Sequence, residues 1–373
     1  MKILFYDHYR FISLISNEKN EVHGGFTKQM RGWLDGFINN GWNVGVMVLN
    51  GQKEILEKAH FNYDYIETYD QDKGLKYFRL ISIIIPSYLK VIKKNKPDYL
   101  FLGGADYHVA ILFFICKILK IKTIYRPTND IEFDDRLHSR KTYLAIQIFK
   151  LGRRLSDIII CQNDYQYKQS VKLYPQKNVM TIHNPIIINE NNEPFVKGDY
   201  ISWVGIFQKQ KNLELLIKII KNCPDVKFKI AGKINRQSNY MNNLLDELLK
   251  FNYVEFMGYL DRKEISQFLG KSFCLLNTSH YEGFPNTFLE SWSVGTLVLS
   301  PTRINPDSIV TKYQLGAVYN TVDECVKMIN NYSLISDSDY QKISSTLVNY
   351  VKQKHSNIHL AKTLIKYLNT DQV

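Results

Sequence analysis

His280-Tyr281-Glu282-Gly283-Phe284-Pro285-Asn286-Thr287-Phe288-Leu289-Glu290 is the stretch on which the fold turns. The apolar run Phe273-Cys274-Leu275-Leu276-Asn277 precedes it and reads as a buried strand, and a small-residue, apolar segment follows from Ser291 to Leu299. Gly283-Phe284-Pro285 marks a turn, and Asn286 is placed to cap the helix beyond it. A helix that begins just past the carboxyl end of a parallel strand is where open α/β sheets bind ligands, and its N–H groups favour phosphate. Glu282 stands before that start and Glu290 one turn inside it. Acids beside an anion site are electrostatically unhelpful, so both are expected to meet neutral hydroxyls, as a sugar or ribose offers. Either glutamate alone would read as a solvated charge; the run as a whole argues otherwise.

Outward from this motif, strands and helices alternate. Residues 2–6, 42–49, 99–102, 123–125, 158–161 and 179–182 read as strands separated by helices, a doubly wound parallel pattern. Asn184-Pro185 closes it, and 189–197 is polar and linker-like. The pattern restarts with strands at 200–204, 227–231, 254–257, 273–277 and 297–300 and a weak one at 316–319; 340–368 reads as helical. The expectation is two Rossmann-like α/β domains, 1–190 and 198–350, facing across a cleft, a placement that favours small-molecule sites.

A chain of 373 residues with 45% hydrophobic content, 25 Tyr and 20 Phe has material for two full cores and is not a disordered chain. Five scattered cysteines without a C-x-x-C pair read as core hydrophobes in a reducing cytoplasm rather than as disulfides or zinc ligands. The amino terminus turns polar too soon for a signal peptide, and the apolar runs fall short of a membrane span, so a soluble or peripheral protein is expected. A net charge of +12 asks for an anionic partner. The basic residues are lysine-heavy and dispersed, which argues against nucleic acid. Two stretches, 73–96 and 139–154, mix lysine and arginine with apolar residues; each reads either as a face for an anionic membrane or as an ordinary surface helix.

Glu-Gly-Phe-Pro-Asn-x-x-x-Glu, with seven residues between the acids, resembles the signature of retaining family 4 glycosyltransferases of the GT-B fold. The resemblance implies that Glu282 lies against the donor sugar, that Glu290 holds the nucleotide ribose, and that the Gly283, Phe284, Pro285, Asn286 and Thr287 segment reaches the diphosphate. Trp203-Val204-Gly205-Ile206-Phe207-Gln208-Lys209-Gln210-Lys211-Asn212 is similar to the family's Gly-Arg-x-x-x-x-Lys-Gly/Asn clamp. Gly205, Lys211 and Asn212 match, but Ile206 stands at the arginine position. Lys209 is a candidate second charge, as a point charge rather than a planar fork. Without a metal, a cation must offset the charge growing on the leaving group.

His23-Gly24-Gly25 resembles the family's amino-terminal glycine loop, which implies donor contacts at Gly24 and Gly25 and an acceptor-side place for His23; it reads otherwise as a tight turn. Gly258 and Tyr259 lie where relatives read the base through backbone groups. Many relatives place a histidine near Arg126; here Arg126 and Asp130 are the alternatives for that contribution to catalysis. Asp106 and His108 are candidates for acceptor contacts, His108 being equally a capping or surface residue. Asp70-Gln71-Asp72 and Asp337-Ser338-Asp339 match Asp-x-Asp formally but read as surface loops, so neither metal nor cofactor is expected.

These readings imply transfer of a sugar from a nucleotide-sugar to a hydroxyl of a glycan or lipid-linked acceptor in bacterial surface polysaccharide or glycolipid synthesis. The protein would be cytoplasmic or peripheral on the inner face of the membrane. The GT-B pattern also implies that the terminal helix, 351–373, returns to the first domain. Two alternatives stay open: a GT-B epimerase, and a non-catalytic sugar- or nucleotide-binding subunit of a transferase complex.

Overall fold

The computed structural model describes residues 1–6, 25–58, 61, 63–75, 78–139, 141–188, 196–234 and 238–370. The chain divides into two compact units, Met1–Ile187 with Asn357–Val373, and Ile188–Ser356. Each is built on one wholly parallel sheet.

In the first unit the strands are β1 (Lys2–Tyr6), β2 (Asn43–Val48), β3 (Asp64–Glu67), β4 (Tyr99–Gly103), β5 (Lys122–Arg126), β6 (Ile158–Cys161) and β7 (Asn178–Thr181). Their order is β3-β2-β1-β4-β5-β6-β7. Phe5 pairs in register with Val46 on one side and Phe101 on the other. Strands buried on both faces need continuous apolar runs, which is what β1 and β4 supply. Helix α1 (Gly25–Asn39) lays Trp33 and Phe37 over this centre, with the Phe5 ring stacked on Phe101 at 4.8 Å. Further helices flank the sheet, among them α2 (Ile85–Asn95), α3 (Tyr107–Ile118) and α4 (Tyr143–Leu155). A short π-helical turn, Leu80–Ile84, leads into α2.

The second unit holds β8 (Tyr200–Val204), β9 (Lys227–Ala231), β10 (Val254–Gly258), β11 (Ser272–Leu276), β12 (Leu297–Pro301) and β13 (Gly316–Tyr319). They are ordered β10-β9-β8-β11-β12-β13. Helix α5 (Leu213–Lys221) follows β8, α6 (Asn286–Ser293) follows β11, and α7 (Asp337–His355) ends the unit. Asp337-Ser338-Asp339 is therefore the first turn of a helix capped by Ser336, not a surface loop; acids there complement the helix dipole. After Ser356 the chain rejoins the first unit as α8 (Asn357–Thr370). Gly36 on α1 makes that docking possible, since a Cβ there would come within 2.5 Å of the Asn357 carbonyl and 2.7 Å of the Ala361 side chain.

All five cysteines are free and buried. Burial pushes the Cys116 and Cys161 thiols up to about 12, so they are inert packing groups. Among the described residues no helix is long and apolar enough to cross a membrane.

Candidate active site

Both sheets reverse their strand order once. In the second unit β8 is continued by β9 on one side and flanked by β11 on the other, so the switch point lies between the carboxyl ends of β8 and β11. The two loops leaving those ends carry the sequence motifs described above. They are tied together by hydrogen bonds. Thr278 Oγ1 donates to the Lys211 carbonyl at 2.6 Å and accepts from Trp203 Nε1 at 3.1 Å. Gln210 Nε2 donates to the Tyr281 carbonyl at 2.7 Å, and the His280 amide donates to the Gln210 carbonyl at 2.8 Å.

At the centre of this seam Lys211 Nζ meets Glu282 Oε1 at 2.7 Å, with side chains only 16% and 14% exposed. Ser279 Oγ donates to the same carboxylate oxygen at 2.9 Å. The loop backbones are close here: a Cβ on Gly232, beyond β9, would lie 1.9 Å from the Gly205 carbonyl, so only glycine fits. Asn212 has a left-handed backbone (φ 50°), and its side-chain oxygen accepts from the Leu215 amide, capping α5 right after Lys211. A lysine fixed between a strand end and a capped helix is positioned, not free to wander.

The turn after β11 differs from expectation in one respect. Pro285, not Asn286, occupies the cap position of α6, and no side chain caps that helix. Asn286 is already the first residue of the helix. Phe284 is buried against the His355 ring at 5.4 Å, anchoring the turn from below. Glu290 lies on α6, one turn in and partly buried. Gly258 ends β10, and burial, with Asp261 and Glu264 adding to it, raises the pKa of the Tyr259 phenol next to it.

Lys209 is exposed and rests its ammonium 5.9 Å from the Tyr240 ring centroid, away from the Lys211–Glu282 pair's hydrogen bonds. A different cation, absent from the sequence reading, reaches the same loop. Arg303, just past β12, donates from Nε to the Ser279 carbonyl at 3.2 Å. Burial first, and Arg303 second, hold the His280 imidazole below its usual pKa. The signal that could have found Arg303 is its place immediately after an apolar strand neighbouring β11.

The first unit treats its candidates differently. His23 and Gly24 lie outside the described residues, and α1 begins at Gly25. Arg126, expected to serve catalysis, is fully buried. Its guanidinium donates to Asn184 Oδ1 (2.7 Å), the Ile182 carbonyl (3.1 Å), the Ile160 carbonyl and Gln29 Oε1, with the Trp33 ring 5.2 Å away. Burial lowers its pKa to about 9, which leaves it charged at neutral pH. It ties the carboxyl ends of β5, β6 and β7 together and presents no reach to a ligand.

Asp130 accepts from Asn163 Nδ2 and Gln166 Nε2, both at 3.0 Å, and burial raises it to about 6. Asp106 caps α3 through the His108 amide. His108 is neither cap nor surface: it is buried, with Nδ1 2.9 Å from the Tyr88 hydroxyl, which meets the Tyr6 hydroxyl at 2.5 Å. An apolar helix flank packed on β1 makes it a core histidine.

Residues 187–344 match the family model of glycosyl transferases group 1. The amylovoran biosynthesis glycosyltransferase AmsD of Erwinia amylovora is 21% identical over 281 residues, which span 69% of this chain and 76% of that protein. An uncharacterized 41.2 kDa protein in the cps region of Klebsiella pneumoniae is 24% identical over 265 residues, 66% of this chain and 72% of its own length. Among solved structures, HepE of Anabaena in complex with UDP-glucose is similar at a TM-score of 0.75 and 15% identity, over 99% of this chain and 100% of that one. The fold is that of the two-domain GT-B proteins. The chain is a glycosyltransferase, and its matched segment holds the Lys211–Glu282 seam.

Proposed function

We propose that this enzyme moves a sugar from a nucleoside-diphosphate donor to a hydroxyl of a glycan or lipid-linked acceptor, with retention at the anomeric carbon as the family 4 resemblance implies. The product would be a bacterial surface polysaccharide or glycolipid, made on the cytoplasmic side of the membrane. The observation that carries the reading is the half-buried Lys211–Glu282 pair at the switch point of the second sheet.

A diphosphate brings more negative charge to the Lys211 ammonium than one carboxylate does, so it competes for that cation. Glu282, released, becomes an acceptor for donor-sugar hydroxyls, held in place by Ser279. The start of α6, where proline rather than a capping side chain holds the cap position, is where the phosphates would sit, and Glu290 offers the ribose contact. Arg303 joins Lys211 as the second cation in place of the arginine that Ile206 displaces. In the reaction the bond from the anomeric carbon to the diphosphate breaks and its electron pair leaves with the phosphate. The acceptor oxygen bonds the same face, and its proton passes to the departing phosphate oxygen. Cations fixed where that charge grows supply the catalysis, and no metal is required.

The test is steady-state kinetics of Glu282→Gln with product stereochemistry read by proton NMR. The reading expects an axial or equatorial product matching the donor, a rate unchanged by EDTA, and at least a hundredfold loss on substitution. An inverted product, or full activity in Glu282→Gln, would refute it.

A further inference from the structure

We propose that the flank of the first unit formed by α2, α3 and α4 is a docking surface for an anionic lipid bilayer. Helix α2 packs on α3, and α3 on α4, where the Gly152 backbone lies against Ala110. The three helices therefore form one continuous flank. Its outward side chains are not the usual polar set. Leu144 is 69% exposed, Ile118 60% and Phe114 57%, with Leu151 also exposed, and in the segment leading into α2 Ile81 is 72% exposed and Phe78 is exposed too. Single exposed apolar residues need no explanation, but a contiguous set does.

The charges on the same flank are of one sign. Lys90, Lys93 and Lys94 on α2, Lys117 on α3, and Lys150 and Arg154 on α4 are exposed, and none is ion-paired among the described residues. The three helices contain no Asp or Glu, in a chain with 36 of them. Apolar groups among unpaired lysines, with Tyr107 and Tyr143 exposed as well, are the chemistry of an interfacial surface: rings and branched chains enter the acyl boundary while ammonium groups reach the headgroups. Docking a second copy of the chain on this flank would set like charges against each other without an acid to relieve them. Long, flexible lysines suit a diffuse layer of lipid phosphate better than the fixed acids of one protein partner. This surface belongs to the first unit and the Lys211–Glu282 seam to the second, and the proposal does not depend on how that seam is read.

The experiment is flotation of the purified full chain with vesicles of phosphatidylcholine alone or with about 30% phosphatidylglycerol, at about 0.1 M salt and again at about 0.5 M. The expected result is capture by the anionic vesicles only, weakened at high salt. Two doubles, Phe114→Ser with Leu144→Ser and Lys93→Glu with Lys94→Glu, should each bind about tenfold or more weakly. Because these side chains are exposed, thermal midpoints and donor hydrolysis in solution should match wild type, which separates lost docking from lost folding and from a failed transferase reading. Wild type that ignores both kinds of vesicle would overturn the proposal and leave an acidic protein as occupant. Wild-type binding that either double retains in full would overturn it too.

Discussion

The two sheets each place a cation at a strand's carboxyl end, and they use it in opposite ways. In the first unit Arg126, the last residue of β5, is sealed from solvent and held by two backbone carbonyls and two side-chain amides. In the second, Lys211 in the loop after β8 is partly open and held by one carboxylate. A guanidinium whose hydrogen bonds all go to buried groups of its own unit is architecture. An ammonium held by a single exchangeable partner is poised for a ligand. Equivalent topology does not decide function; the number and kind of partners does.

The comparison breaks most visibly if Lys211→Ala keeps its activity. Loss of a cation at the leaving group should lower kcat/KM by about a hundred- to a thousandfold, roughly 3–4 kcal/mol, in steady-state kinetics. Arg126→Met should behave in the reverse sense. Removing one partner of a buried polar network typically costs roughly 3 kcal/mol, so urea unfolding should move while kcat per folded molecule stays within about twofold.

Asp130 sharpens the structural side. Its carboxyl titrates near 6 in the folded protein because of burial, above the ordinary value of 3.8. Between those two values the folded state holds a proton that the unfolded chain has released. Stability therefore falls as pH rises through this window, by on the order of 3 kcal/mol. Asp130→Asn should flatten the slope and be the more stable protein at pH 7.5 in chemical unfolding; an unchanged slope would place the titration elsewhere. At the small end, Arg303→Ala should cost about tenfold in kcat/KM and Lys209→Ala less than about threefold. The reverse ranking would return the second charge to Lys209.

The seam was legible because its signals are local. An apolar five-residue run, a Gly-Phe-Pro turn and an acid on each side of a helix start lie within one short stretch, and Lys211 follows β8 at a recognisable spacing. What sequence concealed depends on convergence. Nothing near Arg126 shows that Gln29, Ile160, Ile182 and Asn184 close around it, since all four arrive from other elements or the segments that follow them. His108 was ambiguous for the same reason: its partner Tyr88 comes from another helix. Arg303 went unread because its link to the site is a bond to a backbone carbonyl, which leaves no mark in residue type. Asn286 was misread by one position, because proline and asparagine both suit helix starts and only the backbone angles choose between them.

The most direct test of the central claim is a thermal-shift comparison of wild type and Lys211→Ala with UDP, GDP, ADP and CMP, without magnesium. A ligand at a hundred times its Kd stabilises the native state by about 2.7 kcal/mol, a shift of several degrees. The account predicts that one nucleoside diphosphate raises the wild-type midpoint and leaves the variant where it was. An equal shift in both proteins would contradict it, because the nucleotide would then be bound without the cation on which the proposed site is built.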